Sequence, residues 1–239
     1  MKVIILSKTD YKEKDVIINA ISEEELLSFK VRGALDPKSP FAWINNPLTV
    51  CDVEFTGPST YKYRILKNAL MEFSPLEFSG NTQKFMALNL IQEATIKCLF
   101  ENEGSLLYQD ILNFIEELKK EDVDIYTNCL IFLLKVAKYS GYALNVSGCV
   151  NCGSKKDIVA FKFSEGGYLC RNCLSEGTLS DLSLNQMKMI RFVNNAPNFS
   201  YKPNFDISEL EKKDLLDKIG RFFSEIGDTH LEGISLLTK

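Results

Sequence analysis

Along the first seventy or so residues, apolar and polar positions alternate in short runs: "KVIILSKT", "DVIINAIS", "LLSFKVRGA", "LTVCDVEFTG" and "YKYRILKNAL". In "VCDVEF", Val50, Asp52 and Glu54 fall on one side and Cys51, Val53 and Phe55 on the other, the two-residue period of a half-buried strand. Turn formers separate the runs: "GALDPKSP" after the third, "NNP" before the fourth and "GPST" before the fifth. Five short strands in this length are most economically closed into a barrel of the oligonucleotide/oligosaccharide-binding (OB) type, with a half-open sheet as the alternative. The expected barrel unit is residues 1–78.

After "FSPLEFSGNT" the period lengthens. Ala87, Ile91, Ala94 and Cys98 share one helical face, as do Leu107, Ile111, Phe114 and Leu118. A third helix is expected from about Asp124 through Tyr139, with Leu130, Leu133, Leu134 and Ala137 inward and Gly141 at its C-terminal cap. Ser183 with Gln186, and Ser208 with Glu211, have the spacing of capping boxes. The first precedes Met187, Ile190 and Val193; the second precedes Leu215, Ile219, Phe222 and Ile226. "APNFSYKPNFD", between these two helices, is the most linker-like piece of the chain. The fold class is therefore α+β: an N-terminal OB-type barrel, then an α-helical domain over residues 79–239 that carries a four-cysteine insert at about 147–176.

That insert holds the most specific chemistry in the chain. Cys149 and Cys152 form one C-x2-C knuckle and Cys170 and Cys173 a second, with residues 153–169 between them. Each knuckle can place two sulfurs on one metal, and "DIVAFKFSEGGYL" reads as a strand, a Gly-Gly turn and a return, the hairpin of a zinc ribbon. So short an insert buries little apolar surface, whereas structural zinc binding contributes about 10 kcal/mol or more to folding. Four thiolates also complete a tetrahedron and leave no position for substrate, which makes one structural Zn2+ the expected cofactor. A redox C-x-x-C pair and unligated thiols are the competing readings, and a redox motif needs only one knuckle. Cys51, Cys98 and Cys129 are expected to be buried apolar residues.

Catalytic signatures are sparse. His230 is the single histidine, no phosphate-binding or dinucleotide glycine motif is present, and Glu116 and Glu117 sit beside Lys119 and Lys120 as on a solvated helix face. This favours a binding protein over an enzyme. No segment reaches the roughly 18 apolar residues of a membrane span and the opening "MKVIILSKTD" has no signal-peptide character, so a cytoplasmic protein with no membrane partner is expected. The net charge of -4 places any nucleic-acid contact on a local patch. In the barrel, Lys30, Arg32 and Lys38 flank the turn after one strand, and Lys62, Arg64 and Lys67 alternate along another. With Trp43, Phe41, Tyr61 and Tyr63 close in sequence, these cations fit a basic groove with stacking aromatics; the alternative is a normally charged sheet exterior over an aromatic core.

Several stretches resemble the bacterial DNA repair protein RecO family. "YKEKDVIINAISEEELLSFKVRGALDPKS" is similar to the family's N-terminal domain, "LLKVAKYSGYALNVSGCVNCG" to its central segment, "FSEGGYLCRNC" to its second knuckle and "HLEGISLL" to its C-terminal end. The resemblance implies a recombination mediator of the RecF pathway, nucleoid-associated, that binds and anneals single- and double-stranded DNA. It also implies work with RecR to load RecA on strands coated by single-strand-binding protein (SSB). The C-terminal tail of SSB would dock in a groove between Leu88, Ile91, Leu130 and Leu134, with Lys135 and Lys138 near its carboxylate. Such leucines are more often core. A zinc-ribbon adaptor or transcription regulator without annealing activity is the runner-up.

Overall fold

The computed structural model describes residues 1–56, 64–98 and 104–239. These fall into two compact units, 1–112 and 113–239. In the first, β1 (Lys2–Tyr11), β2 (Asp15–Ile21), β3 (Leu26–Val31), β4 (Val50–Thr56) and β5 (Arg64–Phe73) close into a barrel of ring order β1-β2-β3-β5-β4. Its β3–β5 pair is parallel, and the other four pairs are antiparallel. This connectivity is that of an OB barrel. Alternation along the strands decides what fills it: Val16, Ile18 and Ala20 of β2, Leu27, Phe29 and Val31 of β3, and Cys51 and Val53 of β4 point into one core. Val50 departs from the simple alternation, being buried like Cys51, because the pairing of β4 with β5 shifts register between these two residues. A short 3-10 turn, Ala42–Asn45, packs Ile44 and half-buried Trp43 against the barrel core. Helix α1 (Thr82–Cys98) follows, and its Gln92 donates a 2.8 Å hydrogen bond to the carbonyl of Leu6 in β1.

Helix α2 (Tyr108–Leu118) contains the division between units. In the second unit, α3 (Ile125–Tyr139) is buried around almost its whole circumference, Leu130, Leu133, Leu134 and Ala137 included. Its ends are well determined. Asp124 caps the first turn by accepting from the Thr127 amide at 3.1 Å, and Gly141 (φ 83°) closes the last one. The amides of Gly141 and Tyr142 reach back to the carbonyls of Lys138 and Ala137, the paired bonds of a Schellman cap. Both predicted capping boxes are formed, at the starts of α4 (Leu184–Asn195) and α5 (Glu209–Gly227). Leu215, Ile219 and Phe222 are buried as their spacing predicts, but Ile226 is exposed, one residue before α5 ends at Gly227 with a left-handed Asp228 as its cap. The linker-like stretch between α4 and α5 is anchored. Phe199 inserts into an aromatic cluster with Phe114 (5.5 Å, edge-on) and Phe132. A last helix, α6 (Glu232–Thr238), had no periodic signature of its own.

The insert is a three-stranded sheet, β6 (Asn145–Cys149), β7 (Ile158–Lys162) and β8 (Gly167–Cys170), in the order β6-β8-β7. The hairpin β7–β8 is the expected one; β6, parallel to β8, is an addition. Gly167 permits it, because a Cβ there would stand 2.1 Å from the Asn145 carbonyl oxygen. One face of the sheet docks on the helices through Phe163 against Phe222 (5.4 Å) and the Tyr168 hydroxyl donating to the Met187 carbonyl at 2.5 Å. The outer edge of β7 is also occupied: the Phe161 and Phe163 amides donate to Ser180 Oγ and Asp181 Oδ2, and the Asp181 amide donates to the Phe161 carbonyl.

Candidate metal centre and nucleic-acid interface

The ends of β6 and β8 and the turns that follow them hold the cysteines. Cys149 ends β6, Cys170 ends β8, and both are buried; Cys152 is exposed and Cys173 half-buried on the turns that follow. Each turn folds back on its first cysteine, with the Gly153 amide on the Cys149 carbonyl at 2.8 Å and the Leu174 amide on the Cys170 carbonyl at 3.0 Å. Gly153 supplies the required positive φ of 73°. All four sulfurs lie within 4.8 Å of one another, and those of Cys152 and Cys170 are 3.6 Å apart. Four sulfurs about 2.3 Å from one ion in a tetrahedron would be separated by about 3.8 Å. The cluster therefore has the donor set and spacing to hold a metal ion.

Electrostatics agree with that geometry. Backbone N–H groups, Cys170's first and then those of Cys152 and Asn151, point at the Cys149 sulfur and outweigh the effect of burial, bringing its thiol down to about 6. Cys173 is pushed up to about 12 by hydrogen bonding with Cys152 and the other sulfurs and by the negative charge at Cys149. Ionising Cys173 beside Cys149 is thus disfavoured until a cation offsets the crowding, which a divalent metal would do. Apart from sulfur, the fully buried part of this small core is Ala160 and Leu169, with Val150, Ile158 and Leu174 packed around them. Cys51, Cys98 and Cys129 are remote in character: all are buried, which raises their thiols, to about 12 for Cys51 and about 11 for Cys98.

In the barrel unit, the predicted cations fall into different environments. Lys30 is largely buried, 2.7 Å from Asp15 and 4.7 Å from the centre of the Tyr11 ring. Lys30 and the Gly33 amide hold the Asp15 carboxyl below the usual carboxylate range. Arg64, on the strand beside Lys30, pairs with Glu25 at 2.9 Å and lies over Phe55. Lys67 meets Glu54 only at 4.0 Å, with both side chains well exposed. Arg32 and Lys38 are exposed and form no ion pair among the described residues. Trp43 is half-buried against the core, and Lys62, Tyr61 and Tyr63 lie outside the described residues. Sequence reading overlooked the rest of the β1-β2-β3 surface. There Asn19 bridges Ser7 (3.0 Å) and Ser28 (2.6 Å), and Tyr11 is partly exposed beneath Lys30 and Lys12. A polar Asn inside "DVIINAI", on the exposed phase of the strand, was the available signal.

Of the residues expected to line a partner groove, Leu88, Ile91, Leu130 and Leu134 are each buried. Lys135 sits over the Phe199 ring at 5.9 Å, and Lys138 is exposed. Glu116 and Glu117 differ from the solvated pair expected of them: Glu116 is exposed and paired with Lys119, but Glu117 is buried and bound by Lys120 and the Ser200 hydroxyl. Among the described residues, no helix is long and apolar enough to cross a membrane.

Comparison with known proteins places this architecture. A family model described as Recombination protein O C terminal matches residues 82–236. The DNA repair protein RecO of Syntrophomonas wolfei is 28% identical over 201 residues, covering 77% of this chain and 76% of that protein. RecO of Acetivibrio thermocellus is 25% identical over 224 residues, covering 91% and 86% of the two chains. RecO of Bacillus pumilus is 21% identical over 247 aligned residues, 99% of this chain and 92% of the relative.

Proposed function

Since the chain belongs to the RecO family, we propose that it is a recombination mediator in DNA repair that works by binding rather than by chemistry. The observation that carries the reading is the family match over residues 82–236 in a chain whose N-terminal unit is a closed OB-type barrel. OB barrels bind single strands by cationic grooves and aromatic platforms, and the outward cations Arg32, Lys38 and Lys67 are free or loosely held, as such a role needs. Lys30 and Arg64 add further cations of the barrel unit, and Trp43 packs the turn after β3 against its core. Binding two strands with part of their charge neutralised lowers the repulsion between them, which is the physical basis for annealing. The exchange step adds two protein contacts: RecR, and the SSB tail, whose carboxylate Lys135 and Lys138 of α3 would meet. RecA loading on SSB-coated strands is the outcome.

The four cysteines hold one Zn2+ in this reading, and its role is to fold the ribbon; Cys149, Cys152, Cys170 and Cys173 occupy all four positions. The protein acts in the cytoplasm at the nucleoid. The test is to mix complementary single strands, bare or SSB-coated, with the chain. Pairing faster than the spontaneous rate, and slowed by added salt, is expected. The ion pairs that occupy Lys30 and Arg64, with the net charge of -4, favour one competitor, a zinc-ribbon adaptor for protein partners. Recovery of RecR and SSB with no retention of DNA at low salt would establish that instead.

A further inference from the structure

The stretch from Leu184 to Phe205 contains Lys188, Arg191 and Lys202 and no acidic residue, in a chain where Asp and Glu outnumber Lys and Arg by 32 to 28. On α4, Lys188, Arg191, Phe192 and Asn195 recur at helical spacing and so share one face. All but Phe192 are exposed. Phe192 supports something outside it: its ring lies parallel to that of Tyr201, 5.2 Å between centres and 7° between planes, while Phe205 closes on it edge-on at 6.2 Å. Tyr201 is 53% exposed. Arg191, Phe192, Asn195, Pro197 and Tyr201 line an open depression of about 350 Å³.

The charge here is not internally compensated. Neither Lys188 nor Arg191 forms an ion pair among the described residues. The four carboxylates that this stretch does touch are each bound by groups other than Lys188 and Arg191: Asp122 by Lys202 at 2.8 Å, Glu117 by Lys120 and Ser200, Glu211 by Asn185, and Asp214 by Gln186 and Lys218. A tyrosine held flat against a phenylalanine has already lost much of its rotamer freedom, so a planar ring can stack on it at little further entropic cost. A free guanidinium beside such a platform suits a phosphate or a second ring.

We propose that this face of α4, together with Tyr201, is a second single-stranded nucleic-acid contact, in which a base stacks on Tyr201 and Arg191 and Lys188 hold the neighbouring phosphates. It rests on the DNA-binding reading above and adds to the barrel a site in the other unit. Two separate sites on one chain would let it hold two strands.

The test uses the full chain and a fluorescein-labelled 20-mer of oligodeoxythymidine in anisotropy titrations at several salt concentrations. Tyr201→Ala is expected to weaken binding roughly 5- to 100-fold, as base–aromatic stacking does, with the salt slope unchanged. Tyr201→Phe should restore it. Arg191→Ala should weaken binding and reduce the salt slope by about 1. Unchanged thermal melting of these exposed-site variants shows that the fold is intact. Equal oligonucleotide binding by native protein and Tyr201→Ala overturns the proposal, as does a Tyr201→Ala variant that loses only an apolar peptide ending in a free carboxylate. If Arg32→Glu with Lys38→Glu removes binding while Tyr201→Ala does not, this site falls and the barrel reading stands. Native protein that fails to bind at low salt sinks both.

Discussion

Replacing Cys170 by serine exchanges one of four clustered sulfurs for a hydroxyl, at the end of the strand that joins both others in the ribbon. Ala160 and Leu169, fully buried beside the sulfurs, contribute about 3 kcal/mol by area. A structural four-thiolate site contributes about 10 kcal/mol or more. A metal bound there would therefore exceed the local apolar core by a factor of about three, and losing a ligand should release the tip of the ribbon. The rest of the ribbon is held independently, by Phe163 on Phe222 and Tyr168 on Met187, so the loss should stay local. We expect zinc content to fall from one equivalent to a small fraction by elemental analysis. Hydrogen exchange should accelerate at the amides of Cys149, Gly153, Cys173 and Leu174 while those of Phe161 and Phe163 stay protected. Cys170→Ser that retains a full equivalent of zinc would refute the ligand assignment, and native protein whose knuckle amides exchange alike with and without chelator would refute the energetic argument.

Three further outcomes are expected. Burial pushes the Asp124 carboxyl up, but hydrogen bonds from Lys212 and Thr127 more than offset it and the net shift is down, so its contribution is complete above about pH 4 and is lost as pH falls through the depressed value. Asp124→Ala should cost about 1 kcal/mol as a cap alone at neutral pH, and the difference from native in urea unfolding should shrink on acidification; a gap that widens would contradict this sign. Gly167→Ala puts a Cβ 2.1 Å from a backbone oxygen, so β6 must separate from β8, and thermal melting should show destabilisation of roughly 1–3 kcal/mol. Arg32→Glu with Lys38→Glu should weaken oligonucleotide binding and reduce its salt slope by about 2, and an unchanged slope would remove both residues from the interface.

Local chemistry was legible in the sequence wherever it was decided locally. Ser183 with Gln186, Ser208 with Glu211, Gly141 and the two cysteine knuckles each specify their structure within a few residues, and each is found as read. The barrel strands were visible from alternation, but the parallel β3–β5 contact links residues 35 apart and leaves no trace in either strand. β6 went unseen because "NVSGC" is short and gains its place from a glycine two strands' worth of sequence away. Phe199 illustrates the converse: a loop composition of Pro, Asn and Ser concealed a side chain buried against aromatics of two helices, Phe114 of α2 and Phe132 of α3. The buried Glu117 was equally hidden, since only the arrival of Ser200 from 83 residues downstream explains it.

Among the described residues, the closed ring leaves the barrel without an open strand edge, and side-chain bonds occupy the outer edge of β7. An open strand edge is a template for sheet-to-sheet polymerisation. Ser180 and Asp181 act as a bumper against it, and loosening them should show first as fibrous or gel-like association at concentrations where the native chain stays dispersed.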